Sequence, residues 1–160
     1  MNSIEQQVLH STEQLVQKSK RVLVAYSGGA DSTFLLVILS KLRPKTAAVY
    51  VNHNLRGEES ASEERFVRQF CADRKIPLFV EQIQWKKKPA NLDESARKRR
   101  YRHFAKVASE QKYDRVALAH HRDDVAETFL LRLIRGSGPT GLSGLAPRRG
   151  IYVQIGRAHV

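Results

Sequence analysis

Val22-Leu-Val-Ala-Tyr26 is a short apolar run that stops at Ser27-Gly28-Gly29. Asp31-Ser32 then opens a second stretch, apolar on every side from Phe34 to Leu39. That order reads as a buried strand, a sharp glycine turn and the start of a buried helix. Free backbone N–H groups and the positive end of the helix dipole converge on whatever occupies such a turn, which makes it an anion site. Gly28 and Gly29 let the main chain approach an anion without a Cβ in the way, and the hydroxyls of Ser27 and Ser32 can donate to it as well. A single glycine often does no more than join strand to helix. Ser-Gly-Gly-x-Asp-Ser between two buried elements exceeds what a connection requires.

The turn is not a Walker A loop, because no Gly-Lys-Ser/Thr follows, nor the Gly-x-Gly-x-x-Gly of dinucleotide binders. Asp31 places a carboxylate where phosphate oxygens should lie, and like charges at that range repel unless a cation lies between them. Asp31 therefore implies Mg²⁺ bridging it to a nucleotide, since Mg²⁺ favours one or two carboxylates plus phosphate oxygens.

The rest of the chain alternates strand and helix. Strands are expected at Val22–Tyr26, Thr46–Asn52, Leu78–Gln82 and Arg115–Ala119. Helices are expected over Asp31–Lys41, from a Ser60-Ala-Ser-Glu63 cap to about Lys75, from Asp93 to about Gln111, and from Asp123 to Ile134. A further amphipathic helix opens at Ser3-Ile-Glu-Gln6. The pattern predicts an α/β domain, a parallel sheet with right-handed crossovers and helices on both faces. Ligands bind such sheets beyond the carboxyl ends of the strands, where Ser27-Gly-Gly29, Asn52-His53 and His120-His121 all fall.

At 160 residues the chain is one domain in length. No apolar run reaches the length of a membrane span, so no membrane association is expected. The single cysteine, Cys71, excludes an internal disulfide and favours a cytoplasmic setting. Cys71 reads as a packing residue on a helix far from the glycine turn. Net charge is +12, from 28 basic and 16 acidic residues. The excess suits a polyanion, nucleic acid first, and it clusters at Lys86-Lys87-Lys88 and at Arg97-Lys98-Arg99-Arg100 with Arg102. Residues 1–154 read as one domain whose natural sequence continues further, and 155–160 as a non-native tail that does not continue the pattern.

A second constellation lies in Ala119-His-His-Arg-Asp-Asp-Val-Ala-Glu127. Asp124 and Glu127, three apart, share one helix face. One acid in a first turn is commonly a cap, but two histidines with Asp123, Asp124 and Glu127 exceed what capping needs and point to catalysis.

Together these segments resemble the PP-loop ATP pyrophosphatases, an adenine-nucleotide alpha-hydrolase-like, Rossmann-type fold. Within that group they resemble the bacterial tRNA(Ile)-lysidine synthetases over nearly all of residues 20–147. The motifs are Ser27-Gly-Gly-Ala-Asp-Ser32, Val51-Asn-His-Asn-Leu-Arg56, Asn91-Leu-Asp-Glu-Ser-Ala-Arg97 with Arg100-Tyr101, Ala119-His-His-Arg-Asp-Asp124 with Glu127-Thr128, and Arg135-Gly-Ser-Gly138 with Gly141-Leu142. The resemblance implies a C–N-forming ligase. It would use ATP to adenylate the wobble cytidine of a tRNA(Ile) with a CAU anticodon, and free L-lysine would then displace AMP. By position, Ser27, Gly28, Gly29, Ala30, Asp31 and Ser32 would hold pyrophosphate, and Asn52 and His53 would serve the adenosine. Asp31 and Asp124 would hold Mg²⁺, Asp124 and Glu127 would lie near metal and lysine, and Arg100 and His120 would form the catalytic basic pair. Ala30 stands where many members carry proline or valine, Asn52 where many carry aspartate, and Val125 where glutamine is usual. The segment Arg135–Gly144 reads either as a linker or as a flap over the site.

Rival readings are a PP-loop tRNA thiolase, a non-catalytic nucleotide-binding module and a plain RNA-binding protein. Thiolases use cysteines as sulfur carriers or cluster ligands, and Cys71 stands alone. A binding module would not need the second constellation, and a plain RNA binder leaves Asp31, Asp124 and Glu127 without a role.

Overall fold

The computed structural model describes Ser19 and residues 21–43, 45–86, 89–119 and 148–155. The elements are β1 (Val22–Ala25), α1 (Ala30–Leu42), β2 (Thr46–Asn52), α2 (Glu58–Asp73), β3 (Leu78–Gln82), α3 (Leu92–Glu110), β4 (Arg115–Ala119), β5 (Arg148–Arg149) and β6 (Tyr152–Ile155). They form one sheet in the order β3-β2-β1-β4-β6-β5, in which only the β5–β6 pairing is antiparallel. The expected helices at the N-terminus and over 123–134, the segment 135–144 and residues 156–160 lie outside the described residues; Ile155 pairs with Ala119 in β6.

Alternation along the strands builds two cores. Val22, Val24, Tyr26, Ala48 and Tyr50 pack on one face with Leu35, Leu36 and Leu39 of α1 and Val67 and Cys71 of α2. Leu23, Ala47, Val49 and Val51 pack on the other with Phe104, Val107 and Ala108 of α3. The chain runs outward from β1 through β2 to β3, then returns by α3 across the opposite face to β4 on the far side of β1. Reversing direction while keeping right-handed crossovers requires that change of face. It leaves a crevice at the carboxyl ends of β1 and β4, where the strand order switches. Among the described residues no helix is long and apolar enough to cross a membrane.

The start of α2 differs from expectation, while the ends of α2 and α3 fall close to it. Helix α2 begins at Glu58, capped by Gly57 at φ +49°, and Ser60 is buried inside the first turn. Glycine tolerates that backbone, and Glu58 and Glu59 suit the positive helix end. At its other end, Lys75 adopts φ +54° and Ile76 N–H donates to the Cys71 carbonyl at 2.9 Å. α3 ends in the same way, with Lys112 at φ +57° and Tyr113 N–H on the Ala108 carbonyl at 2.8 Å. Both left-handed positions are held by lysine where glycine is the usual signal.

Candidate active site

The glycine turn leaves β1 through Tyr26, whose N–H still bonds the Val49 carbonyl at 2.9 Å. Gly28 lies at φ +82°, and its α-carbon rests on α2: a Cβ built there would stand 3.3 Å from Val67 Cγ2. Gly29 is the N-cap of α1 in extended backbone and makes no side-chain cap bond. Gly29 itself brings no side chain to the first-turn N–H groups of α1, the groups that a helix N-terminus offers to an anion.

Ser27 and Ser32 close the turn. Their hydroxyls lie 3.0 Å apart, Ser27 N–H donates to Ser32 Oγ at 3.2 Å, and Ser32 Oγ–H donates to the Gly29 carbonyl at 3.0 Å. Gly29 N–H reaches Ser27 Oγ at 3.4 Å. Thr33 Oγ1–H donates to the same Gly29 carbonyl at 2.8 Å. The turn is thus pre-shaped by bonds among its own residues, and both serine hydroxyls can re-aim at a ligand.

Above the turn opens a cavity of about 750 Å³ beyond the carboxyl ends of β1, β2 and β4. Ser27, Ser32, Asn52, His53 and Arg100 all line it. Gly28, Gly29 and Ala30 form the turn and the first residue of α1 beside it. Asp31 is half-buried in the first turn of α1 and is not among the cavity-lining residues. His120, Asp124 and Glu127 lie outside the described residues.

Asn52 is almost fully buried, at 4% exposed, and its amide is committed. Its Nδ2–H donates to Glu64 Oε2 at 2.9 Å, and its Oδ1 accepts Asn54 N–H at 2.8 Å. The Asn52 bond, then those from Arg68, holds the Glu64 carboxyl below the usual range although burial opposes this. Burial first, then the Arg100 guanidinium and His103, push the His53 imidazole below its usual value, so it is neutral at pH 7. Tyr50, on the cavity wall, is pushed up to about 12 by burial and by Glu63 and Glu64.

Residues not singled out as site residues also contribute. Asp93, Arg97 and Phe104 of α3 line the cavity together with Arg100. Their spacing of four, three and four residues puts them on one helix face, a signal present in the chain. Arg56 and Glu63 line it from the α2 side. The basic run of α3 is not one patch, because the helix distributes it. Arg97 and Arg100 face the cavity, Lys98 pairs with Glu94 at 2.9 Å, and the Arg99 guanidinium lies 4.6 Å from the Trp85 ring centroid. Lys87 and Lys88 lie outside the described residues.

Cys71 is nearer the turn than its sequence position implied. It lies one helical turn from Val67, the residue beneath Gly28, and shares a core cluster with Tyr26. It is 1% exposed, and burial pushes its thiol up to about 11, which leaves it protonated.

A PP-loop domain, residues 1–158, matches nearly the whole chain. The chain belongs to the PP-loop domain family. Membership implies ATP use, and a glycine-capped helix N-terminus with two serine hydroxyls is fitted to polyphosphate. Among the described residues no group of three His, Cys, Asp or Glu side chains could hold a metal ion. Asp31, in the first turn of α1, supplies a carboxylate of the kind Mg²⁺ accepts alongside phosphate oxygens.

This PP-loop domain is 41% identical to a tRNA(Ile)-lysidine synthase of Bacteroides thetaiotaomicron over 94% of the chain and 37% of that protein. It is 43% identical to the bifunctional protein TilS/HprT of Listeria monocytogenes over 84% of the chain and 22% of that protein. A tRNA(Ile)-lysidine synthase of Clostridium perfringens is 37% identical over 88% of the chain and 32% of that protein. The chain thus spans about a fifth to just over a third of the length of these curated relatives. Among solved structures, the U34-tRNA thiolase NcsA of Methanococcus maripaludis superposes with a TM-score of 0.70 at 20% identity, covering 95% of this chain and 58% of that one. An NH3-dependent NAD synthetase of Campylobacter jejuni superposes at 0.62 and 13% identity, covering 91% and 79%. At such identities the two structures establish the fold alone.

Proposed function

We propose that this PP-loop domain is the nucleotide-binding, catalytic part of a tRNA(Ile)-lysidine synthase. It would join lysine to the wobble cytidine of a CAU-anticodon tRNA(Ile) through an adenylated cytidine, with release of pyrophosphate and AMP. The observation that carries the reading is one cavity that joins the glycine-capped Ser27–Ser32 turn to Arg100, in a chain about two-fifths identical to a synthase of that name. The turn has no Walker lysine and suits pyrophosphate as a leaving group rather than a transferred γ-phosphoryl. Asp31 would hold Mg²⁺ against the phosphates, with Asp124 as the second carboxylate; the ion neutralises phosphate charge when bound. Arg100 and His120 would stabilise charge at the α-phosphate. Asp124 and Glu127 would hold the lysine ammonium until it loses a proton.

A thiolase reading shares the fold but is less supported. The one cysteine, Cys71, is buried and protonated, unlike a sulfur carrier, which must be exposed and thiolate-forming.

The complete protein, given ATP, labelled lysine and the CAU-anticodon tRNA, should attach label to the RNA and yield AMP. Asp31→Asn should weaken Mg·ATP binding measured by calorimetry while leaving the fold intact. ADP as product, or ATP-dependent sulfur transfer to the same tRNA without lysine incorporation, would overturn the proposal.

A further inference from the structure

His53 follows the last residue of β2 and is held from behind: Trp85 Nε1–H donates to its carbonyl at 2.8 Å. Arg99 braces that indole from α3, its guanidinium over the ring and its Nη1–H on the Gln84 carbonyl at 2.9 Å. The backbone of His53 is thereby anchored to the β3–α3 connection, while its side chain lines the cavity.

The two ring nitrogens are not equivalent. Nδ1 is shut off from solvent and, among the described residues, has no hydrogen-bond partner. The half-buried imidazole therefore meets the cavity through Nε2. The charged groups around it are Arg100 and His103 of α3, with Arg56, Arg97, Asp93 and Glu63 along the same cavity. Burial and the α3 cations keep the ring neutral, so it carries one N–H. Among the described residues a proton on Nδ1 would be a dry donor with no acceptor, the costlier kind of buried orphan, whereas a dry lone pair is better tolerated. The proton belongs on Nε2.

Register locates what that N–H faces. Ala25 of β1 pairs with Val49 of β2, so Ser27 is level with Val51 and His53 lies two residues beyond. That is about 5 Å sideways and about 7 Å further along from the phosphate turn, the reach of a nucleoside whose phosphates occupy the turn.

We propose that His53 is a specificity-determining residue that presents a fixed Nε2–H donor to the cavity and selects a hydrogen-bond acceptor, a ring nitrogen or carbonyl oxygen, on the bound nucleobase. The inference rests on the preceding reading only in that a nucleotide occupies the cavity. The same acceptor chemistry is offered by adenine of ATP and by cytosine of an RNA, and two binding arms separate them.

Long-range ¹⁵N imidazole correlation spectra of the unliganded wild-type chain should show His53 neutral at pH 7 as the Nε2–H tautomer. A charged ring or the Nδ1–H tautomer would overturn the proposal without any variant. In calorimetry with Mg·ATP, and separately with an anticodon stem-loop RNA bearing the wobble cytidine, His53→Leu should weaken one of the two by about three- to tenfold, the worth of one hydrogen bond. His53→Gln, which keeps an amide donor near the Nε2 position, should stay within about twofold. Loss in the ATP arm assigns adenine, and loss in the RNA arm assigns cytosine. Unchanged affinity in both arms for His53→Leu would refute the proposal. The spectra and the ATP arm need no lysine transfer, so they survive a failure of the ligase reading.

Discussion

Gly28 and Gly29 are adjacent, yet replacing each by alanine should give different outcomes. At Gly28 the backbone sits at φ +82°, a left-handed conformation that costs an L-residue about 1–2 kcal/mol. Its new Cβ would also come within 3.3 Å of Val67 Cγ2, closer than carbon atoms prefer. Val67 is fully buried in the core and can give way little. Alanine stiffens the unfolded chain and recovers about 0.4–1 kcal/mol. The balance is a loss of roughly 1 kcal/mol, or more if Val67 is displaced. Gly29 has φ −72°, open to any residue, and among the described residues a Cβ there meets only Ser27 Oγ at an ordinary 3.5 Å. The same unfolded-state gain applies, against the poorer N-cap preference of alanine, about 0.5 kcal/mol or more, so the change should be close to neutral. Urea unfolding at pH 7 should therefore show a lower midpoint for Gly28→Ala and an almost unmoved one for Gly29→Ala. Equal losses at the two positions would refute the backbone argument, and a stabilised Gly28→Ala would refute the contact with Val67 as well.

Two further predictions concern charge. His53 is held below its usual 6.5, so the unfolded chain takes up its proton first and stability should fall as pH drops below about 6.5. The Glu64 and Glu81 carboxyls are held below 4.5, Glu64 chiefly by Asn52, and Glu81 by Lys106 and His103 against an opposing burial. Their contribution is present above 4.5 and is lost as pH falls through the folded values. Urea midpoints should decline in two stages, with His53→Gln removing the upper stage and Glu81→Gln weakening the lower. A midpoint that is flat between pH 7.5 and 5.5 in the wild-type chain would contradict the neutral His53. Asn52→Asp would set a carboxylate about 3 Å from Glu64 in place of a donor and should cost about 2 kcal/mol at pH 7. Glu64→Gln in the same chain should restore it, and an Asn52→Asp protein as stable as the parent would exclude the Asn52–Glu64 bond.

Strand positions were legible because each carries its own message. Thr46–Asn52, Leu78–Gln82 and Arg115–Ala119 fall where their apolar, β-branched content puts them. The start of α2 was less so, since Gly57 at φ +49° caps the helix three residues before the Ser60 that the local pattern marks. Strand β6 was not anticipated: Tyr152–Ile155 is four residues long and becomes a strand by pairing with β4, a contact more than thirty residues distant in sequence. The glycine turn was legible for the opposite reason. Its chemistry is local, and Ser27, Gly29 and Ser32 bond to one another within six residues.

What the chain conceals is the coupling between elements, and position 52 is the clearest instance. Asparagine there, where many lysidine synthetases carry aspartate, reads in isolation as a departure at an adenosine contact. In the fold the amide faces Glu64 across from α2, and an amide is what that neighbour requires: its Nδ2–H satisfies the carboxylate and its Oδ1 holds the Asn54 turn. An aspartate could keep only the second bond. Asn52 and Glu64 therefore form a matched pair, and the substitution at 52 preserves the backbone that delivers His53 to the cavity. Trp85 acts on the same backbone from the other side, through a hydrogen bond spanning 32 residues that no local pattern could reveal. The end of β2 is thus clamped between α2 and the β3–α3 connection. A clamped backbone beside a self-bonded glycine turn is the arrangement expected where one part of a nucleotide is gripped by main chain and another is read by a fixed side chain.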